Sequence, residues 1–212
     1  MTDNLRQGGI AILDFGSQYT QLIARRIREL GVYAEVFAHD ITADELAGHS
    51  PKGIILSGGP SSIYETDSPK LSPTIHIGDI PMLGVCYGMQ LMAQALGGKV
   101  VNGTTHEYGR GRILQTVPND LFGDLPNEMT VWMSHGDHVE TAPKGFDILA
   151  QSDNGILAAI GSISRKLYAV QFHPEVRHTE NGMTILSHFI FDVCGCKAKW
   201  TSAAFIEDAV ER

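Results

Sequence analysis

The chain has 212 residues, 43% hydrophobic and 19% charged, which suits one large core and excludes a disordered class. No apolar run is long enough to span a bilayer. The formal net charge of -8 argues against a broad electrostatic footprint for nucleic acid and leaves small-molecule chemistry as the leading class.

The start, MTDNLRQGGI, lacks the basic and apolar pattern of a signal peptide. Residues 9–16, GIAILDFG, read as a short buried strand and turn. Residues 18–30 follow as a helix with Leu22, Ile23, Ile27 and Leu30 at helical spacing, closed by Gly31. VYAEVF reads as a strand, ADELA as a weak helix, and KGIILSGGPSS as an apolar strand running into a glycine loop. PMLGV, residues 81–85, is another buried strand, joined without a linker to the helix YGMQLMAQALGG. Such alternation predicts an α/β fold with a mostly parallel sheet and functional loops at the carboxyl ends of its strands. From about Glu107 the texture changes to GRILQTV, MTVWMS, FDILAQS, ILAAIGS and LYAVQF, read as strands and hairpins. Residues 180–195 return to helical periodicity, and a further helix begins near Thr201 or Ser202.

Cysteine packs as a small apolar residue and needs no glycines beside it. Yet Gly84 and Gly88 flank Cys86 between a strand and a helix, which is the nucleophile-elbow pattern with cysteine in the serine position. Glycine on both sides lets the turn close, and the helix N-terminus favours the thiolate. A buried structural cysteine is the alternative for Cys86 taken alone, so a base and a partner for the base must exist elsewhere. His173 and Glu175, in YAVQFHPEV, supply both: two residues apart in an extended segment, they point to one side, and Pro174 restricts the backbone between them. An oxyanion hole would use the Tyr87 backbone N–H and a second N–H from the LSGGPSS loop, where Gly58 and Gly59 allow close approach to a ligand and Gly59 is the expected donor.

LSGGPSS, GVCYGMQ and QFHPEV together resemble the triad-type (class I) glutamine amidotransferase family. ILDFGSQYTQLIARRIRELGVYAE, VWMSHGDHV and FHPEVRHT resemble the branch that serves a GMP-forming synthetase, and the likeness covers nearly the whole chain. The resemblance implies a mostly parallel central sheet flanked by helices, with an additional smaller antiparallel sheet. It implies that Cys86 attacks the side-chain amide of glutamine, that ammonia leaves, and that water resolves a glutamyl thioester. Gln90 and the backbone around Ser134, His135, Gly136 and Asp137 are then candidates for holding glutamine, although His135 and His138 also read as ordinary turn residues. A synthetase domain, using ATP and magnesium to convert xanthosine monophosphate to GMP, is the implied partner. Its opening loop, approximately SGGVDS, does not occur here. Residues 1–200 are therefore expected to be the glutaminase domain, with residues 201–212 starting a linker helix into an ATP-pyrophosphatase domain. The resemblance allows a homodimer through that absent part without fixing the oligomeric state, and a free-standing glutaminase subunit is the runner-up.

No cofactor or metal is expected in this domain. Cys194 and Cys196 lack the further ligands a structural zinc needs and read as free thiols at a helix end. With Cys86 they form no disulfide framework and suit a reducing compartment, so the expected location is the cytoplasm. Arg25, Arg26 and Arg28 read as a solvated helix face, and Trp132 and Trp200 as packing residues. Two rivals remain: a cysteine hydrolase acting on another γ-glutamyl compound, and a regulatory module that kept the fold without catalysis.

Overall fold

A computed structural model describes residues 8–201, the side chains at 104–106 excepted. The linker expected at residues 201–212 lies almost wholly outside the described residues.

β1 (Ile10–Asp14), β3 (Gly53–Leu56) and β4 (Met82–Val85) are continuous apolar runs because both faces of the sheet are covered. In β1 alternate side chains divide between two cores. Ile10 and Ile12 pack with Ile23 and Ile27, whereas Ala11 and Leu13 pack with Leu46 and Met89 on the other face. With β2 (Ala34–Ala38) these strands pair in parallel in the order β2-β1-β3-β4.

α1 (Thr20–Glu29) starts where Asp14 Oδ1 accepts from the Gly16 N–H at 2.9 Å and from Thr20 Oγ1 at 2.7 Å. It ends at Gly31, whose φ of 78° suits glycine. α2 (Ala43–His49) opens on a capping box between Thr42 and Glu45. α3 (Tyr87–Ala95) follows β4 across a single residue, Cys86.

β5 (Lys99–Gln115), β6 (Glu128–Thr141), β7 (Asp147–Ser152), β8 (Leu157–Ser162) and β9 (Leu167–Val170) are the strands of the later half. β5 starts before the change of texture near Glu107. The antiparallel strands are not set apart: the sheet is one ladder of nine strands, β2-β1-β3-β4-β9-β8-β7-β5-β6, among the described residues. β9 joins the two kinds of pairing, parallel to β4 and antiparallel to β8.

The helical stretch at 180–195 divides into α4 (Gly182–Ser187) and a π-helical run over His188–Val193. The Cys194 N–H bonds the Phe189 carbonyl five residues back. Apolar spacing over six residues does not separate a 3.6-residue turn from this wider one. Cys194 and Cys196 are free thiols. Burial pushes both pKa values up, that of Cys196 to about 11, so neither is poised as a nucleophile.

The arginines of α1 depart from a purely solvated face. Arg25 pairs with Glu29 in solvent, but both Arg28 Nε and Nη2 donate to the Ala34 carbonyl and Arg26 reaches the far side of the cleft described next.

Candidate active site

Cys86 has φ 52° and ψ -105°, the strained backbone that an elbow requires. Its neighbours are glycine for steric reasons that can be read atom by atom. A Cβ on Gly84 would lie 2.6 Å from the Gly88 carbonyl oxygen, and one on Gly88 would lie 2.3 Å from the Leu56 carbonyl oxygen. No side chain fits in either place.

The carboxyl ends of β1, β3, β4 and β9 open into one cleft of about 560 Å³. Cys86, Tyr87, Gly59, Gln90, Ser134, His135, Gly136, Asp137 and His173 all line it, so residues from four separate sequence regions meet there. Gly58 sits against the catalytic candidates: a Cβ on it would lie 3.1 Å from His173 Cε1 and 3.6 Å from Cys86 Cβ.

His173 is 4% exposed and Glu175 1%. His173 Nδ1 lies 2.8 Å from Glu175 Oε1, which leaves Nε2 as the ring nitrogen available to Cys86. The pair does not form in an extended strand as expected. β9 ends at Val170, and Pro174 and Glu175 lie in a turn that folds the carboxylate back under the imidazole.

That turn is fastened from three directions. The His173 N–H donates to the Trp132 carbonyl at 3.0 Å, and Thr179 Oγ1 donates to the His173 carbonyl at 2.6 Å. Arg26 Nε donates to the Glu175 carbonyl at 3.1 Å. Gly182 packs so closely on Pro174 that a Cβ would lie 2.0 Å from its carbonyl oxygen.

Burial opposes charge on His173, but hydrogen bonds to Cys86 and Glu175, together with their negative charge, outweigh it and raise its pKa from 6.5 to about 10. The sign for stability follows: the folded chain holds this proton more tightly than the unfolded chain. The contribution is fully present below pH 6.5 and is lost as pH rises through about 10. Urea midpoints measured across that window should fall with pH in the wild-type chain, and less steeply in His173→Gln.

Gly59 and Tyr87 both line the cleft, and neither backbone N–H is bonded to another described residue. The Tyr87 ring is buried, with its hydroxyl donating to the Pro69 carbonyl at 2.6 Å, so the side chain anchors the first turn of α3 beside the cleft. Gln90 Nε2 donates to the Asp137 carbonyl at 2.7 Å.

His135 and His138 are strand residues of β6, not turn residues. His135 stands directly across the ladder from Glu107, with Nε2 3.1 Å from Oε2. Ser152 and Asn154 also donate to Glu107. Asp137 accepts from Ser62 on the loop after β3, which bridges the mouth of the cleft. Sequence reading missed Glu107, Ser62, Arg26 and Gln171. Only Gln171 left a trace, as a polar residue closing an apolar strand.

Residues 11–193 match the family model described as glutamine amidotransferase class-I. The chain belongs to that family. Among its relatives, the GMP synthase (glutamine-hydrolyzing) of Thermosynechococcus vestitus is 52% identical over 201 residues, which is 95% of this chain and 38% of the relative. That of Aliivibrio fischeri is 50% identical over 212 residues, covering 100% of this chain and 41% of the relative. The chain thus spans about two fifths of the length of these relatives. A solved structure assigned as a GMP synthase subunit from Thermoplasma acidophilum is 32% identical with a TM-score of 0.77, covering 95% of this chain and 98% of that one. A Thermotoga maritima glutamine amidotransferase shares the fold at 21% identity, with a TM-score of 0.64 over 80% of this chain and 77% of that one.

Proposed function

We propose that the chain hydrolyses the side-chain amide of glutamine and delivers the ammonia to a synthetase that makes GMP. The observation that carries the chemistry is a cysteine at positive φ on the β4–α3 elbow, sharing a cleft with His173 of a buried His173–Glu175 pair. The names and lengths of the relatives support the rest.

The reaction follows from the geometry. His173 holds the thiol proton, and the Cys86 thiolate attacks the amide carbon of glutamine. A C–S bond forms, and the carbonyl electron pair moves onto oxygen, where the Gly59 and Tyr87 N–H groups donate to it. As the oxyanion collapses the C–N bond breaks, and His173 gives its proton to the departing nitrogen, which leaves as ammonia. Water then attacks the thioester carbon and passes a proton to His173. A second collapse releases glutamate and restores the thiolate. Glu175 keeps the imidazole in one orientation and stabilises its cation throughout. Gln90 and the β6 segment Ser134, His135, Gly136 and Asp137 hold the amino-acid end of the substrate. The synthetase partner, for which ATP and magnesium are the expected requirements, aminates xanthosine monophosphate.

Whether that partner is a further domain of one chain or a separate protein does not alter this site. The Thermoplasma chain, named as a subunit, is matched over 98% of its length, which is compatible with the second arrangement.

Labelling tests the proposal without requiring turnover by the synthetase. A diazoketone analogue of glutamine should alkylate Cys86 in preference to Cys194 and Cys196, and free glutamine should protect it at least tenfold better than asparagine. Alkylation without protection by glutamine would overturn the substrate assignment.

A further inference from the structure

Gln171 is fully buried, with 0% of its surface exposed, directly after β9 and two residues before His173. Its backbone N–H is bonded to the Ala158 carbonyl. Its side chain lies between two residues of the cleft: Oε1 accepts from Gln90 Nε2 at 3.5 Å, and Nε2 points at Cys86 Sγ at 3.7 Å. The orientation of the amide is fixed by its neighbours, because Gln90 Nε2 is a donor to the Asp137 carbonyl and must meet an oxygen of Gln171.

A buried amide donor is costly unless an acceptor compensates it, and a neutral thiol is a weak acceptor. A thiolate is a strong one, since hydrogen bonds to ionised groups are about twice as strong as neutral ones. Burying this amide against Cys86 is therefore favourable chiefly when the sulfur is charged. One neighbour pulls the other way: the Ser134 carbonyl oxygen lies 3.6 Å from Cys86 Sγ and accepts from the protonated thiol. The sulfur thus sits between one acceptor, the Ser134 carbonyl, and one donor, the Gln171 amide.

We propose that Gln171 is a catalytic residue that donates its side-chain N–H to the Cys86 thiolate and keeps it reactive between turnovers. It also returns the sulfur to the same place after thioester hydrolysis expels it. The donor is separate from His173 and transfers no proton. The inference rests on Cys86 being the nucleophile.

The test compares Gln171→Met, which keeps the volume and removes the donor, with the wild-type chain, both carrying Cys194→Ser and Cys196→Ser so that alkylation reports Cys86 alone. At pH 7 the rate of alkylation by iodoacetamide should fall about tenfold, and kcat for glutamine hydrolysis in the intact enzyme should fall by a similar factor. KM for glutamine should stay within about twofold. Alkylation and kcat both within twofold of wild type would overturn the proposal and leave Gln171 as packing. If Gln171→Met does not fold, Gln171→Asn, too short to reach the sulfur, gives the same reading. Cys86→Ala separates the two levels: activity that survives it defeats the nucleophile itself, whereas activity lost there but kept in Gln171→Met defeats only the role of Gln171.

Discussion

Cys86→Ala should abolish glutamine hydrolysis, with a loss of at least about ten-thousandfold in kcat, while leaving the thermal midpoint nearly unchanged. The size follows from the chemistry. Without the sulfur there is no thioester, and removing the nucleophile of a triad collapses the contribution of its partners as well. Binding should survive, because Gly59, Gln90 and the β6 segment, the proposed substrate contacts, line the cleft on elements other than the sulfur-bearing residue. Isothermal titration with glutamine on the alanine variant should therefore give an affinity within a few-fold of the wild-type KM. Ammonia release by the alanine variant at more than about one per cent of the wild-type rate would remove Cys86 from the mechanism.

Gly88→Ala should be nearly as damaging although it touches no reacting atom. The added methyl would lie 2.3 Å from the Leu56 carbonyl oxygen and 2.8 Å from its Cβ, neither of which is a flexible side-chain end. α3 must then move away from β3, and its first turn carries the Tyr87 N–H. The Gly88 N–H also donates to the Ser57 carbonyl at 3.1 Å, tying the elbow to the loop that presents Gly59. A shift there would separate the Gly59 and Tyr87 N–H groups, the two proposed oxyanion donors, from one another. The expected result is a fall of about a hundredfold or more in kcat/KM and a loss of about 3 kcal/mol in stability, read by urea unfolding. Gly97→Ala is the control for stability: nothing lies within 4 Å of its missing Cβ, although its φ of 85° carries its own strain.

Much of this site was legible because each part has a local signature. Gly84 and Gly88 announced the elbow, since only a close backbone approach demands glycine at both positions, and the atoms that enforce it are now identified. His173, Pro174 and Glu175 were readable as a pair, but their geometry was not. Proline restricts its neighbour without specifying that the next residue turns back, and that turn is imposed by Arg26, Thr179 and the Gly182 contact, with partners as far as 149 positions apart. His135 was ambiguous for the same reason. Its partner Glu107 is assigned by strand register, which a single strand does not carry. The antiparallel strands were legible as strands, but their attachment through β9 depends on pairing at both edges of one four-residue run.

The backbone of Cys86 has a consequence for how such a chain can change over generations. An L-residue at φ 52° and ψ -105° is held in a region that costs about 1–3 kcal/mol, a noticeable part of the roughly 5–15 kcal/mol by which a domain usually stays folded. Glycine would occupy that position without the penalty. Under the proposed mechanism, the substitution that would relieve this backbone most simply is also one that removes the reacting sulfur.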